Sequence, residues 1–442
     1  IAGPQKLPDI DHLVELAFRR HEFVPETYGS NLLFTFFAQH FTHMFFKTDL
    51  KRGPGHTWGG HGVDVSHIYG PDASTENNLR SFHDGKLKTQ LINGEEWPPS
   101  VADAPIKMLY PPNIPAEKQF AVGHEFFGLL PGLVVYATVW VREHNRVCDV
   151  LKAEHPEWND EQLFQTAKLI ILGETIKIVI EDYVQHLSRY QFKVTFQPEL
   201  LFNEPFQYQN RISLEFNHLY HWHPLMPDNF TIAGRTYGMK EFVFNMDMAP
   251  SHGMTAMVDA LARQHAGKMS RNNHPDITLK VAKETILHGR DLRLLPLNQY
   301  RKRYRLDPYT SFEELTGEKI LAAQLENLYG DIDAVEFYVG LMVEHHRPNS
   351  MFGATIIEVG GPASVKGLMS SPICSPKFWR PSTFGGEVGF DIIKTASLQK
   401  LFCLNLDGVC PPVSFHVPYE SDPTIDINHC QEGNCVKKEK ST

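Results

Sequence analysis

The stretch FTFFAQHFTHMFF, residues 34–46, is apolar on nearly every face of a helix. A helix that is hydrophobic all round is normally buried, so the sequence predicts a core helix over Asn31–Phe46. Gln39 and His43 are four residues apart, which places both side chains on one face about one turn apart. A lone buried histidine is more often a satisfied core residue than a functional one. An amide one turn below the histidine favours a site.

Other long segments share this helical character. Periodic apolar spacing predicts helices over Leu13–Phe23, Gly132–Lys152 and Gln162–Tyr190. Strand-like alternation is confined to short pieces such as Phe192–Phe196. We therefore expect a mainly α protein with few short strands. Residues 1–415 are predicted to form one large helical domain. Residues 416–442 are predicted to form a polar tail that is mobile over Glu420–Thr442.

The overall composition excludes several classes of protein. The chain has 442 residues, a formal net charge of −10 and a pI near 6.1, so it lacks the basic surface of a nucleic-acid binder. No run of about 18 apolar residues occurs, so no membrane span is expected. Ile1 is followed by no signal-peptide pattern, and we expect the chain to begin within a longer protein.

The cysteines indicate the compartment. Cys403 with Cys410, and Cys430 with Cys435, form close pairs that suit short disulfide loops in an oxidising environment, and no spacing favours structural zinc. One glycosylation sequon begins at Asn229, which fits a protein of the secretory pathway.

A second segment concentrates polar rings: residues 216–227 read FNHLYHWHPLMP. Tyr220 and His223 are three residues apart and are predicted to share a helical face, and Pro224 is predicted to end that helix at His223. A neutral histidine at a helix end is well placed to ligate a metal. His218, His221 and Trp222 are equally compatible with ordinary interior packing.

Together the two segments predict haem chemistry. Haem needs one axial protein ligand and, for peroxide cleavage, a base on the opposite face that moves a proton between the peroxide oxygens. His223 and His43 can fill these roles, and the uncharged Gln39 can hydrogen-bond the peroxide.

Four blocks carry a family resemblance: FFAQHFTH from Phe36, WVREHNRVCD from Trp140, EFNHLYHWHPLMPD from Glu215 and PSTFGGEVGF from Pro381. On these blocks, which span nearly the whole chain, the protein resembles the catalytic domain of the prostaglandin-endoperoxide synthases. These are the cyclooxygenases of the animal haem peroxidase superfamily. The resemblance implies the animal haem peroxidase fold.

The resemblance also implies roles for individual residues. His43 would be the distal histidine, with Gln39 as its partner. His223 would be the axial ligand of the haem iron, and His221 would contact the cofactor. Tyr220 would become the tyrosyl radical that abstracts hydrogen from a polyunsaturated fatty acid. Haem b is expected to be non-covalent, because secreted relatives use an acid immediately before the distal histidine where this chain has Thr42.

The resemblance also implies which residues line the fatty-acid channel. Its predicted lining is Val179, Tyr183, Val184, Leu187, Ser188, Tyr190, Trp222, Phe352, Ile357, Gly361, Ser364 and Val365. Glu358 also matches a position of the channel wall and Arg347 matches a side-pocket position, and Gly360 with Gly361 would let the acyl chain approach the backbone. Without the resemblance, the same spacing is ordinary core packing. Arg142, Glu143, His144 and Arg146 are interpreted as support for the haem pocket.

Other implied properties concern partners. The substrates would be arachidonate or a related fatty acid, oxygen and hydroperoxides. The arginine that pairs with the substrate carboxylate is expected upstream of Ile1, together with segments that attach a homodimer to one leaflet. The expected location is the lumenal membrane surface of the endoplasmic reticulum and nuclear envelope. Asp64 and Ser66 resemble part of a calcium loop, but a capped turn is an equal alternative.

Three alternative functions remain open at this stage. The chain could be a plain haem peroxidase, a fatty-acid dioxygenase of different regiochemistry, or a non-catalytic haem-binding subunit of a dimer. The joint presence of Gln39, His43, Tyr220 and His223 favours the bifunctional enzyme.

Overall fold

The computed structural model describes residues 7–45, 62–210, 212–419, 425–431 and 434–437. The first ten helices are α1 (Ile10–Ala17), α2 (Leu32–Thr42), α3 (Ser66–Tyr69), α4 (Ala73–Leu79), α5 (Pro131–Glu154), α6 (Asp160–Ile178), α7 (Gln185–Leu187), α8 (Leu214–Leu219), α9 (Met239–Phe242) and α10 (Met248–His252). The others are α11 (Met254–Arg263), α12 (Asp276–Asp291), α13 (Leu297–Arg303), α14 (Phe312–Thr316), α15 (Lys319–Tyr329), α16 (Phe337–Val343), α17 (Ala354–Met369), α18 (Glu387–Lys394) and α19 (Leu398–Cys403).

Strands are few and short, as predicted. They are β1 (Gln90–Ile92), β2 (Glu95–Trp97), β3 (Asn229–Ile232), β4 (Arg235–Gly238), β5 (Ile425–Gln431) and β6 (Asn434–Lys437). They form three antiparallel hairpins, β1–β2, β3–β4 and β5–β6. Short 3₁₀ turns lie at Ala116–Lys118, Pro198–Leu201, His223–Leu225, Ile332–Ala334, Pro372–Cys374 and Pro381–Phe384. The mainly α fold class is thus confirmed.

The buried helix α2 organises the core. It packs against α5 and α11, and α5 in turn packs against α6. Its first turn is fixed by Asn31, whose side-chain oxygen accepts from the Phe34 amide and whose side-chain nitrogen donates to the Ala262 and Ser414 carbonyls. Gly132 of α5 lets the helices approach closely, since a Cβ there would lie 2.3 Å from the Phe36 ring. These contacts hold the Gln39–His43 face in one orientation.

The predicted helix Gln162–Tyr190 is interrupted. After α6 the chain forms a π-helical turn, Val179–Val184, before α7 ends at Leu187. Such turns are rare in proteins, and those that do occur are frequently found at functional sites. A π-helical turn contains more residues than an α-helical turn. The side chains after it therefore no longer follow the 3.6-residue periodicity on which the prediction was based.

The strand predicted at Phe192–Phe196 is wrong, because side chains satisfy its backbone. Gln185 donates to the Phe192 carbonyl and accepts from the Val194 amide, each at 2.7 Å, and Glu181 accepts from the Phe196 amide at 2.8 Å. Helix α1 also ends earlier than predicted, at Ala17.

The end of the chain holds more structure than predicted, because β5 pairs with β6. Mobility of the tail stays a prediction. Cys403 and Cys410 form the predicted disulfide. The side chains of Cys430 and Cys435 lie outside the described part, so their pairing also stays a prediction. Within the described ranges, no helix is both long and apolar enough to cross a bilayer.

Candidate functional site

A cleft of about 910 Å³ separates α2 from the segment after α8. This volume falls within the range of about 300–1,000 Å³ that is usual for ligand and cofactor sites. One wall carries Thr35, Ala38, Gln39, Thr42 and His43, and the opposite wall carries Tyr220, His221, Trp222, His223, Leu225 and Met226. The structure therefore brings together the two segments that the sequence analysis combined.

On the first wall, His43 follows the last residue of α2 and keeps helical backbone angles. Its Nδ1 donates to the Gln39 carbonyl, so in the neutral ring Nε2 is the nitrogen able to accept a proton. The side-chain oxygen of Gln39 is buried without a hydrogen-bond partner among the described residues. This wall thus holds a base and an amide one turn apart, as predicted.

The prediction that Tyr220 and His223 share a helical face is wrong. Helix α8 ends at Leu219, and His223 begins a separate 3₁₀ turn. The Trp222 backbone, at φ −95° and ψ 44°, lies between the two turns, and its indole nitrogen donates to the Leu219 carbonyl at 2.7 Å. The break lets both Tyr220 and His223 reach the cleft without helical spacing.

His223 has the properties of a metal ligand. Burial, aided by the neighbouring His221, lowers the pKa of His223 well below its ordinary value, so the ring is neutral. Its Nδ1 is buried without a hydrogen-bond partner in the described part of the chain. An unsatisfied buried polar atom costs about 1–3 kcal/mol, so this nitrogen and the Gln39 oxygen together indicate a polar ligand in the cleft.

Tyr220 also borders a second, apolar cavity. This cavity has a volume of about 20 Å³ and is lined by Phe41, Phe45, Val179, Tyr183, Val184, Phe216, Tyr220, Ser364 and Leu368, among others. The Tyr220 hydroxyl lies 3.4 Å from Ser364 Oγ, and its ring stacks on Trp222 with centroids 4.4 Å apart. Burial raises the pKa of Tyr220, which keeps the phenol protonated.

Only part of the predicted channel converges on this second cavity. Val179, Tyr183, Val184 and Ser364 meet there, whereas the other predicted lining residues do not border it: Leu187, Ser188, Tyr190, Trp222, Phe352, Ile357, Gly361 and Val365. Trp222 packs on Phe352 with centroids 4.7 Å apart. Gly361 and Val365 are exposed, and no atom lies within 4 Å of a Cβ built on Gly361. Roles for these residues stay predictions.

The charged residues of α5 support the structure away from the cleft. Arg142 donates to the Glu96 carbonyl and pairs with Glu95, and Arg146 pairs with Glu143. His144 bridges the Tyr69 hydroxyl and the Gly85 carbonyl at 2.7 and 2.8 Å. None of the four α5 residues singled out from the sequence lines the described cleft.

Sequence reasoning missed a group of rings beside His43. His124 lines the cleft and meets the His43 ring at a centroid distance of 4.9 Å. His40 and His67 are buried next to each other, with centroids 4.7 Å apart, and burial lowers the pKa of His67 to about 3. The signal was weak because these histidines are scattered through three separate segments.

The fold and the two facing histidines define a helical haem peroxidase. Residues 59–409 match the family model described as "Animal haem peroxidase". The solved structure of peroxidase A from Dictyostelium discoideum aligns with a TM-score of 0.76 at 17% identity, covering 94% of this chain and 92% of that one.

Relatives of higher sequence identity show to which group within this family the chain belongs. Prostaglandin G/H synthase 2 of Oryctolagus cuniculus is 58% identical over 434 residues, which cover 97% of this chain and 71% of that protein. Prostaglandin G/H synthase 1 of Rattus norvegicus is 58% identical over 418 residues, covering 94% and 69%. The chain therefore belongs to the animal haem peroxidase family and, within it, to the prostaglandin G/H synthases.

The backbone behind His223 yields a first prediction. The Gly267 amide donates to the Leu225 carbonyl at 2.8 Å, and a Cβ on Gly267 would lie 2.0 Å from the Pro224 oxygen. We expect Gly267→Ala to destabilise the protein by about 1–3 kcal/mol and to weaken haem binding by displacing the His223 turn. Thermal unfolding and haem titration followed by absorbance measure the two effects.

The matched control for this prediction is Gly361→Ala, which places a methyl group in open space and should leave both quantities near wild type. Unchanged stability and haem affinity in Gly267→Ala would show that the His223 turn does not depend on this close approach.

Proposed function

We propose that this protein oxygenates arachidonate, or a related polyunsaturated fatty acid, to a hydroperoxy-endoperoxide and then reduces the hydroperoxide. The observation that carries the proposal is the position of Tyr220. It borders both the cleft that holds His43 and His223 and the apolar cavity that holds Tyr183 and Ser364. One phenol can therefore connect peroxide chemistry in the first space with fatty-acid chemistry in the second.

For the peroxidase reaction, His223 would bind the iron of haem and His43 would face the opposite side. Bound haem would supply the electrons for peroxide cleavage and the oxidising equivalents that follow. His43 Nε2 would take the proton from the hydroperoxide and return it to the departing oxygen. Gln39 would orient the peroxide through a hydrogen bond without adding charge.

For the oxygenase reaction, Tyr220 would lose one electron and its phenolic proton. The resulting radical would take a hydrogen atom from a doubly allylic carbon, which restores the phenol and leaves a carbon radical on the fatty acid. Addition of two oxygen molecules to that radical gives the hydroperoxy-endoperoxide after one hydrogen atom returns from Tyr220. Ser364, 3.4 Å from the phenol, would shape the space beside the reacting carbon.

The second cavity is much smaller than a fatty acid. About 20 Å³ lies well below the range of about 300–1,000 Å³ for ligand sites. Side chains such as Phe41 and Phe45 fill the space under Tyr220, so acyl-chain binding requires them to move.

We further propose that the haem is haem b, bound without covalent links. Thr42, at the position of the linking acid, donates its hydroxyl to the Ala38 carbonyl at 2.7 Å. Two carboxylates do line the cleft, but both are engaged. Asp72 caps α4 through the Thr75 amide, and Glu125 pairs with Lys107 at 2.8 Å.

Calcium remains a prediction. Asp64 accepts from the Ser66 amide at 3.0 Å, which supports the capped-turn alternative. Among the residues described, no group of three or more acid, histidine or cysteine side chains is gathered to hold a metal ion. A rise in melting temperature when calcium replaces a chelator would support binding.

The proposed setting is a homodimer on the lumenal membrane surface of the endoplasmic reticulum and nuclear envelope. The Cys403–Cys410 disulfide and the exposed sequon residue Asn229 support an oxidising secretory compartment. Sedimentation and vesicle flotation of the full-length protein test assembly and membrane binding.

The deciding experiment measures oxygen uptake by haem-loaded full-length protein given arachidonate and a trace of hydroperoxide. Peroxidase turnover of a reducing dye is followed in the same samples. Uptake together with dye oxidation supports the proposal, and product analysis establishes the regiochemistry. Dye oxidation without uptake would identify a plain peroxidase, and haem binding without either activity would identify a non-catalytic subunit.

A further inference from the structure

A third space lies outside Tyr190 and has a volume of about 680 Å³. It opens to solvent, since Tyr190 is 56% exposed and Tyr419 is 43% exposed. Its lining contains Arg189 and no aspartate or glutamate among the described residues. We call this space the Arg189 cavity.

Arg189 occupies a position that normally requires glycine. The Tyr190 amide donates to the Gln185 carbonyl and the Arg189 amide donates to the His186 carbonyl, which is the hydrogen-bond pattern of a Schellman cap. Arg189 has φ 60° and Tyr190 has φ 56°. The left-handed region costs a non-glycine residue about 1–2 kcal/mol, a cost that glycine would not carry.

The guanidinium of Arg189 is held against an aromatic ring, and the nearby Glu26 carboxylate acts on it electrostatically without forming an ion pair among the described residues. The guanidinium lies over the Tyr28 ring, 3.5 Å from the centroid, and its Nε is buried without a hydrogen-bond partner among the described residues. No carboxylate among the described residues forms an ion pair with the Arg189 guanidinium. Glu26, the nearby acid, uses one oxygen to accept from the Tyr28 and Ser30 amides.

Arg347, which the sequence predicted to lie beside the channel, is already paired. Arg347 forms an ion pair with Glu358 at 2.8 Å. Arg189 is therefore a cation beside the predicted channel residue Tyr190 that has a carboxylate, Glu26, nearby but forms no ion pair among the described residues. A guanidinium stacked on an aromatic ring presents its donors in a fixed plane, which suits a carboxylate.

The rest of the cavity fits an amphiphile. Pro412, Val413, Val417 and Pro418 supply apolar surface, and Tyr28 and Tyr419 also line the cavity. An anionic head group at Arg189 would leave its hydrocarbon chain against these apolar residues. A small inorganic anion would leave most of the space unused.

We propose that the Arg189 cavity binds the carboxylate of a free long-chain fatty acid, with Arg189 as the residue that pairs with the head group. The inference rests on the proposed function for its choice of fatty acid. It adds a binding site outside the channel that Tyr220 serves.

Equilibrium dialysis of radiolabelled palmitate against haem-loaded full-length protein tests this site. Palmitate has no doubly allylic carbon, so binding is measured without turnover. We expect Arg189→Gly to weaken one class of palmitate site about tenfold and to leave hexadecanol binding unchanged. Glycine suits φ 60°, so the cap and the fold should be preserved.

Two matched variants sharpen the test. Arg305 is exposed and has φ 59°, so Arg305→Gly makes the same change elsewhere and should not alter palmitate binding. Arg189→Lys should retain part of the affinity because the charge remains. Equal palmitate binding by Arg189→Gly and wild type would overturn the proposal, as would full displacement of palmitate by millimolar acetate.

The two proposals fail separately. If wild type and Arg189→Gly bind palmitate equally while oxygen uptake is observed, the Arg189 site is refuted and the proposed function stands. Absence of oxygen uptake in a wild type that still shows the Arg189-dependent palmitate site would refute the proposed function and keep a fatty-acid site.

Discussion

Tyr220→Phe is expected to abolish oxygen uptake with arachidonate while peroxidase turnover stays near the wild-type value. Phenylalanine keeps the ring that stacks on Trp222 and lies near Phe216, so packing is preserved. It lacks the O–H bond whose loss creates the phenoxyl radical. The expected result is therefore the complete loss of one activity without a change in the other.

The matched control is Tyr183→Phe in the same cavity. Burial, with Tyr220 close by, raises the pKa of Tyr183 well above its ordinary value. Its hydroxyl is buried and interacts with the Tyr220 hydroxyl, so removing it tests whether the neighbouring phenol, rather than Tyr220, abstracts the hydrogen atom. We expect this variant to retain oxygen uptake. Uptake by Tyr220→Phe at the wild-type rate would exclude Tyr220 as the hydrogen-abstracting residue.

His43→Ala is expected to produce the opposite selectivity. Removing a positioned acid–base group lowers a rate by about 10²–10⁴-fold, so peroxidase kcat/KM should fall by that factor. Haem binding should persist because His223, on the other wall of the cleft, is unchanged. Oxygen uptake should begin only after a lengthened lag, since the tyrosyl radical depends on peroxide cleavage.

Stopped-flow peroxidase assays and haem titration measure these two effects for His43→Ala. Gln39→Ala provides a graded comparison, because it removes a hydrogen-bonding amide and leaves the base in place. We expect a smaller fall in peroxidase rate for Gln39→Ala. A peroxidase rate that is unchanged in His43→Ala would assign the proton transfer to another group, and the nearby His124 would be the first to test.

The two variants together separate the activities physically. Tyr220 belongs to both the cleft and the second cavity, whereas His43 lines the cleft and does not border the second cavity. A change at His43 therefore reaches the fatty acid only through Tyr220, and a change at Tyr220 need not reach the peroxide at all.

Local periodicity determined much of the fold. An apolar stretch such as residues 34–46 has only one stable environment, the interior, and the four-residue spacing of Gln39 and His43 fixes their shared face. The mainly α architecture and the Cys403–Cys410 disulfide followed from similarly local patterns. The opposition of His43 and His223 followed from the chemistry of the two segments and from the family resemblance.

Tertiary structure alone decided how distant segments meet. The π-helical turn after α6, the break between Tyr220 and His223, and the contact of Arg189 with Tyr28 depend on packing between elements far apart in the chain. Sequence periodicity reports only which face of one element is apolar, and it carries no distance between elements. Whether a buried phenol borders one cavity or two, and whether an arginine is paired, is set by those distances.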